Sequence, residues 1–184
     1  MLSHGEALGL VEKYISKRNI RYHMLAVEAI MRSLARYFGD DEEMWGLVGL
    51  LHDIDYEFTA DKPEKHTLIA ADILKDKLSG DCIEAIKAHN FEHTGVKPET
   101  LMAKALIAAD AISGLLVACA LVMPSKKLNE VKVETVLKKF KAKDFAKSVS
   151  RERILYCEEI GLPLEKFVEI TLDGLKSVAE EIGL

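Results

Sequence analysis

Apolar positions recur at helical spacing along nearly the whole chain, and short polar stretches between them carry helix start and stop signals. Ser3 suits the cap of a first helix reaching about Lys17, with Glu6 at the capping-box position. A second helix runs from about Ile20 to Phe38 and stops at Gly39. Asp40 or Asp41 opens a third, DEEMWGLVGL, whose apolar run ends on His52 and Asp53. YEFTADKP reads as a loop. Pro63 fits the first turn of a fourth helix, EKHTLIAADILKDKL, which begins at His66 and is stopped by Ser79-Gly80. A short fifth, CIEAIKAHN, ends on His89 and gives way to a loop, FEHTGVKP, that holds His93. Pro98 opens a long sixth, ETLMAKALIAADAISGLLVACALV, which Pro124 ends. Three further segments follow at roughly 131–140, 144–160 and 164–182. This predicts an all-α fold: a helical bundle core at about 20–122 with additional C-terminal helices at about 125–184.

Composition supports that picture. The 184 residues suit one domain with a real core, and 49% of them are apolar, which excludes a disordered chain. Ala, Leu, Lys, Glu and Ile dominate and the four prolines stand apart, as helices require. Cys82, Cys119 and Cys157 form no CxxC pair and no disulfide framework, so reduced buried thiols in a cytoplasmic protein are expected. No stretch reaches the roughly eighteen uninterrupted apolar residues of a membrane span. The longest, around ALIAADAISGLLVACALVM, contains Asp110 and reads as a buried helix, so no membrane partner is expected.

The net charge of −5 argues against a protein built mainly to grip nucleic acid, and no nucleic-acid partner is expected. The charge is uneven. Residues 126–153 hold ten Lys/Arg against four Asp/Glu, so the rest of the chain carries about −11. Two solvated helix faces would explain this excess, and so would an electropositive wall beside an anionic ligand.

The polar residues on this apolar framework carry the candidate chemistry. Asp110 sits among Leu106, Ile107, Ala108, Ala109, Ala111 and Ile112, where an ionised carboxylate is costly without a partner or a metal. A single histidine such as His23 is more often a core or surface residue than a ligand. Imidazoles and carboxylates together, however, suit a borderline divalent ion. Adjacent helix positions point about 100° apart, so His52 and Asp53 can meet one ion only in a cleft near the helix end. Asp55 either shares that rim or bonds local N–H groups. His4 is expected to be exposed.

The ordered set His23, His52-Asp53, Asp110, each on a helix, resembles the HD superfamily of metal-dependent phosphohydrolases, and looks closest to its small HDIG-type proteins. GLLHDID resembles their signature at the doublet, with Asp55 where glycine often follows. KHTLIAADIL and AIKAHNFEHTG resemble the further histidine-bearing segments of the expanded H…HD…H…H…D pattern found in binuclear members. The resemblance covers about residues 20–116.

It implies that His23, His52, Asp53 and Asp110 hold one metal, and that His66 and His89 ligate a second or contact phosphate. His93 is a poorer candidate. The cofactor would be one or two divalent ions drawn from Mn, Fe, Zn, Co, Ni or Mg. The implied activity is hydrolysis of a phosphate ester or anhydride bond in a small, nucleotide-like substrate through metal-activated water. Asp53, His66 and His89 would be the catalytic residues, and Asp53 would also orient the water or accept its proton. Cyclic-dinucleotide members place a lysine in a GYP-containing motif after the doublet. YEFTADKPEK lacks it, although Lys62 or Lys65 could approach a phosphate. Two other functions fit the same pattern: a binuclear iron oxygenase, which needs all six ligands, and a non-catalytic metal-binding regulatory module. A homo-oligomer is compatible with the sequence.

Overall fold

Ser3 does cap the first helix. In the computed structural model, which describes residues 2–184, its Oγ accepts the Glu6 N–H while the Glu6 carboxylate accepts the Ser3 N–H at 2.8 Å. That helix, α1 (His4–Tyr14), ends earlier than expected. The chain then turns into α2 (Arg18–Phe38), which Gly39 closes in the left-handed conformation with φ 69°. Asp41 caps α3 (Glu42–Leu51) by accepting the Met44 N–H at 3.0 Å.

α2 and α3 pack closely, and Gly49 is the reason. A Cβ there would lie 2.8 Å from the Val27 carbonyl oxygen and 2.9 Å from the Glu28 Cα. Only glycine lets the two backbones approach so near, three residues before His52. α8 (Leu101–Leu121) runs through the middle of the bundle. Thr100 caps it and accepts the Ala103 N–H, whereas Pro98 lies outside the helix. α8 is the one described helix long and apolar enough to cross a membrane, but most of its apolar window is buried inside the protein. It packs on α2, on α6 (Gly80–Ala88) and on the C-terminal helices.

The described residues contain helices and no strand, so the fold is all-α. Several local expectations change. YEFTADKP contains a one-turn helix, α4 (Tyr56–Thr59), whose Glu57 accepts the Ser16 and Lys17 N–H groups and ties it to the start of α2. The fourth predicted helix shrinks to α5 (Leu68–Leu74), because Thr67 adopts φ 71° and breaks it. His66 therefore lies in a turn before α5 and not on it. FEHT forms a single turn, α7 (Phe91–Thr94), stopped by Gly95 at φ 72°.

After Leu121 come a 3-10 turn (Leu128–Glu130) and α9 (Val133–Lys141). The helix expected at 144–160 is broken. Only α10 (Arg151–Ile154) and α11 (Tyr156–Glu159) form, and Ala146 stands at φ 46°. The Arg151 guanidinium explains the loop. Its nitrogens donate to six backbone carbonyls, those of Lys139, Phe140, Ala142, Phe145, Ala146 and Val149. These bonds replace a helical ladder across residues 142–149. α12 (Leu164–Lys176) then packs back on α2 and α8. Cys82, Cys119 and Cys157 are free and buried, and burial pushes the Cys119 and Cys157 thiols up to about 11.

Candidate metal centre

His52 is the C-cap of α3 and fully buried. Its Nδ1 lies 2.8 Å from the Gly49 carbonyl, which can only accept, so the ring proton sits on Nδ1 and Nε2 faces outward bare. The same device recurs at each imidazole. His89, the C-cap of α6, gives Nδ1–H to the Ile86 carbonyl at 2.9 Å. His66 gives Nδ1–H to the Asp55 carboxylate at 2.8 Å. His23, on α2, has Nδ1 3.3 Å from the Ser113 hydroxyl, which itself donates to the Asp110 carbonyl. Carbonyl or carboxylate partners of this kind orient imidazoles for metal ligation.

The Nε2 atoms of the four rings converge on carboxylates. His23 Nε2 lies 3.2 Å from Asp110 Oδ1 and 3.6 Å from Asp53 Oδ2. His52 Nε2 lies 3.5 Å from Asp53 Oδ1, and His66 and His89 Nε2 approach the same oxygen at 3.3 and 3.5 Å. Among the described residues two groups have ligand atoms close enough to share one ion, His23-His52-Asp53 and Asp53-His66-His89, and Asp53 belongs to both. Asp110 completes the first group from α8. The donor set of imidazole nitrogen and carboxylate oxygen fits a borderline divalent ion. The His23 and His52 Nε2 atoms stand 3.3 Å apart, so a proton on one of them or a shared cation must separate the two lone pairs.

The electrostatics follow the geometry. Burial drives the His52 imidazole down to about 4, so it stays neutral at physiological pH. Burial also opposes charge on His66, but the Asp53 and Asp55 carboxylates outweigh it and lift His66 to about 9. His23 is raised in the same way, chiefly by Asp110 against its own burial. Burial alone would raise the Asp53 and Asp110 carboxyls. The surrounding histidines reverse this and hold both below the usual carboxylate range.

All six predicted ligand residues therefore meet at one place. Asp55 resolves differently from a ligand at the rim. It is buried, and its Oδ2 accepts the Thr67 and Ala70 N–H groups at 2.8 and 2.9 Å while Oδ1 holds His66. It caps α5 and orients His66 at once. His93 turns away to the Asn90 side chain at 2.9 Å. Lys62 and Lys65 are exposed and do not line the cleft. His4 is exposed, as expected, and pairs with the buried Glu28 at 2.9 Å.

The cleft over this cluster encloses about 570 Å³. Its walls include residues that sequence reasoning did not single out: Asn19, Tyr56, Asn90, Ser113, the 148–150 segment and Arg153. Asn90 was the most legible of these, being next to His89. Its amide donates to the Pro63 and His66 carbonyls and fixes the His66 turn. Of the ten cations in residues 126–153, Arg153 alone reaches the cleft.

Comparison with known proteins agrees with this geometry. The HD domain family profile matches residues 20–115, a span that holds all six candidate ligands. Ribonuclease Y of Nitratidesulfovibrio vulgaris is 39% identical over 98 residues, 53% of this chain and 18% of the relative. Ribonuclease Y of Oleidesulfovibrio alaskensis is 36% identical over 98 residues, again 53% and 18%. Ribonuclease Y 2 of Bdellovibrio bacteriovorus is 32% identical over 103 residues, 55% and 19%. The chain thus spans less than a fifth of the length of these curated relatives. No solved structure matches significantly. With the profile covering more than half of the chain and its ligand pattern gathered around Asp53, the protein belongs to the HD domain family of metal-dependent phosphohydrolases.

Proposed function

We propose that the chain hydrolyses a phosphate ester or anhydride bond in a small, nucleotide-like substrate, with one or two divalent ions as cofactor. The observation that carries this reading is the convergence of four imidazole Nε2 atoms on two carboxylates, with Asp53 common to both triads. His23, His52, Asp53 and Asp110 would hold one ion, and Asp53, His66 and His89 a second. A divalent ion bound there would lower the pKa of a water toward neutrality and take up charge on a phosphoryl oxygen.

The remaining steps belong to the side chains. Asp53 stays ionised at neutral pH, so it can accept a hydrogen bond, and then the proton, from the attacking water. His52 stays neutral and keeps its Nε2 lone pair available. His66 points Nε2 at Asp53 at 3.3 Å, so with the second triad empty it is the group placed to pass a proton toward the departing oxygen. His89 stands beside it with Nε2 toward Asp53. The cleft volume of about 570 Å³ suits one nucleotide-sized unit.

The relatives' printed name, Ribonuclease Y, brings the phosphodiester bonds of RNA within the same chemistry. RNA therefore joins small nucleotides among the substrate classes to be tested, and the net charge of −5 is a weak argument against it. The six-residue set also meets the requirement of a binuclear iron oxygenase, which a mixed-valent iron signal would reveal. The test is a panel of phosphomonoesters, phosphodiesters, nucleotides and short RNA with Mn²⁺, Co²⁺, Ni²⁺, Fe²⁺ and Mg²⁺. Chelator-sensitive hydrolysis that Asp53→Ala abolishes is the expected result. No hydrolysis of any member by the metal-loaded protein overturns the reading.

A further inference from the structure

Part of the cleft wall comes from Ser148, Val149, Ser150 and Arg153, outside the span that matches the family. Its placement is built. Arg151 folds the 139–149 stretch around its guanidinium, and Val149 presses on α8 at Gly114, where a Cβ would come within 3.1 Å of Val149 Cγ2. Gly114 lies one turn beyond Asp110. Ser148, Val149, Ser150 and Arg153 thereby line the same cavity as the candidate ligands.

Arg151 and Arg153 differ in one respect. Every guanidinium nitrogen of Arg151 donates to a backbone carbonyl. Arg153 has five N–H donors, and among the described residues its hydrogen bonds go to Glu92 at 3.1 Å and to the His89 carbonyl. Its Nη2 also lies 3.7 Å from Asp110 Oδ2, close enough for attraction and too far for a hydrogen bond. Phe91 and Glu92 hold the head group in place from behind. It is the only Lys or Arg among the described residues lining the cleft.

We propose that Arg153 is a substrate-binding residue that takes a phosphoryl oxygen of the substrate, so that the C-terminal segment supplies the anion-recognising half of a site whose metal-binding half comes from the HD core. This rests on the phosphohydrolase reading for the identity of the substrate. Once a cation neutralises Asp110, Arg153 keeps N–H groups that no acceptor among the described residues takes, and it is the one positively charged side chain lining the cleft beside the triads. A planar guanidinium suits such an oxygen pair better than an ammonium does.

The test uses the full-length, Mn²⁺-loaded protein with inorganic phosphate as the probe. Calorimetry on Arg153→Gln and Arg153→Lys should show phosphate affinity falling about 10- to 100-fold for Gln and less for Lys, with metal content and unfolding temperature close to wild type. Phosphate affinity equal to wild type in both variants overturns the proposal. Should either variant fail to fold, the wild type still decides: phosphate must protect Arg153 from phenylglyoxal, read by peptide mass spectrometry, and absence of protection overturns the proposal. Adenosine monophosphate and a hydroxyl-ended oligoribonucleotide, used as further probes, separate a terminal phosphate from an internal phosphodiester, since the loss should fall on whichever Arg153 contacts. The two readings fail separately. Hydrolysis with unchanged KM in both variants removes the role of Arg153 alone. Arg153-dependent phosphate binding without hydrolysis of any ester removes the phosphohydrolase reading alone.

Discussion

Replacing Asp55 with Asn probes how the second triad is oriented. The carboxylate is buried and makes three contacts: Oδ2 with the Thr67 and Ala70 N–H groups, Oδ1 with His66 Nδ1–H. An amide offers one oxygen and one NH₂. With its oxygen toward α5, the NH₂ meets Nδ1 and forces the His66 proton onto Nε2, the atom that faces Asp53. With its oxygen toward His66, the NH₂ meets two N–H donors and leaves both unsatisfied, at about 1–3 kcal/mol each. The first arrangement costs less. It keeps the α5 cap without its negative charge, a loss of about 1–2 kcal/mol, which corresponds to a fall in Tm of about 2–8 °C for a chain of this size. The wrong tautomer removes His66 as a ligand, and affinity at the Asp53-His66-His89 triad should fall about 10- to 100-fold, or about 1.4–2.8 kcal/mol. Chelator competition reads the affinities of the two ions separately, and nitrogen NMR reads the tautomer. Asp55→Asn protein that binds both ions as tightly as wild type, with His66 still protonated on Nδ1, would refute the reasoning.

Other substitutions divide the site further. Asp110→Ala should release the ion held with His23 and His52 and leave the Asp53-His66-His89 triad loaded, giving one ion per chain by elemental analysis; equal loss of both ions would contradict this division. Gly49→Ala drives a methyl into the Val27 and Glu28 backbone, so α3 must move off α2; a loss of about 1–3 kcal/mol in denaturant unfolding is expected, and an unchanged midpoint would show that the helices part freely. His66 gives the pH dependence. Its folded value of about 9 exceeds the ordinary 6.5, so its contribution to stability is complete below about 6.5 and is lost as pH rises through about 9. A metal competes for the same nitrogen, so affinity at the second triad should rise about tenfold per pH unit between 7 and 9, and a pH-independent affinity would refute this.

Much of the centre could be read from the chain because most of the ligands sit on a helix or at its end, where local signals are strong. The apolar run of α3 delivers His52 and Asp53 to a helix end, and the buried stretch around Asp110 demands a compensating partner. The capping box at Ser3, the Asp41 cap and the Gly39 stop are local as well, so periodicity located those helix ends. The failures arise where a distant group overrides a local pattern. HTLIAADIL has helical spacing, but the Asp55 carboxylate takes the Thr67 and Ala70 N–H groups and starts the helix after His66. That break frees the His66 ring to turn toward Asp53. Residues 144–150 also look helical, yet Arg151 collects the carbonyls that a helix would have used. The sequence left Asp55 open between a rim carboxylate and an acceptor of local N–H groups, because its partners His66, Thr67 and Ala70 lie 11 to 15 positions away, and the contact that holds Arg153 at the cleft, the His89 carbonyl, lies 64 positions away.

Metal content of wild type and Asp53→Ala, measured after saturation with Mn²⁺ and removal of free ion, tests the central claim most directly. A carboxylate shared by two triads predicts that the single substitution removes every ion the wild type binds, one or two per chain. An Asp53→Ala protein that folds and holds as many ions as the wild type would contradict it.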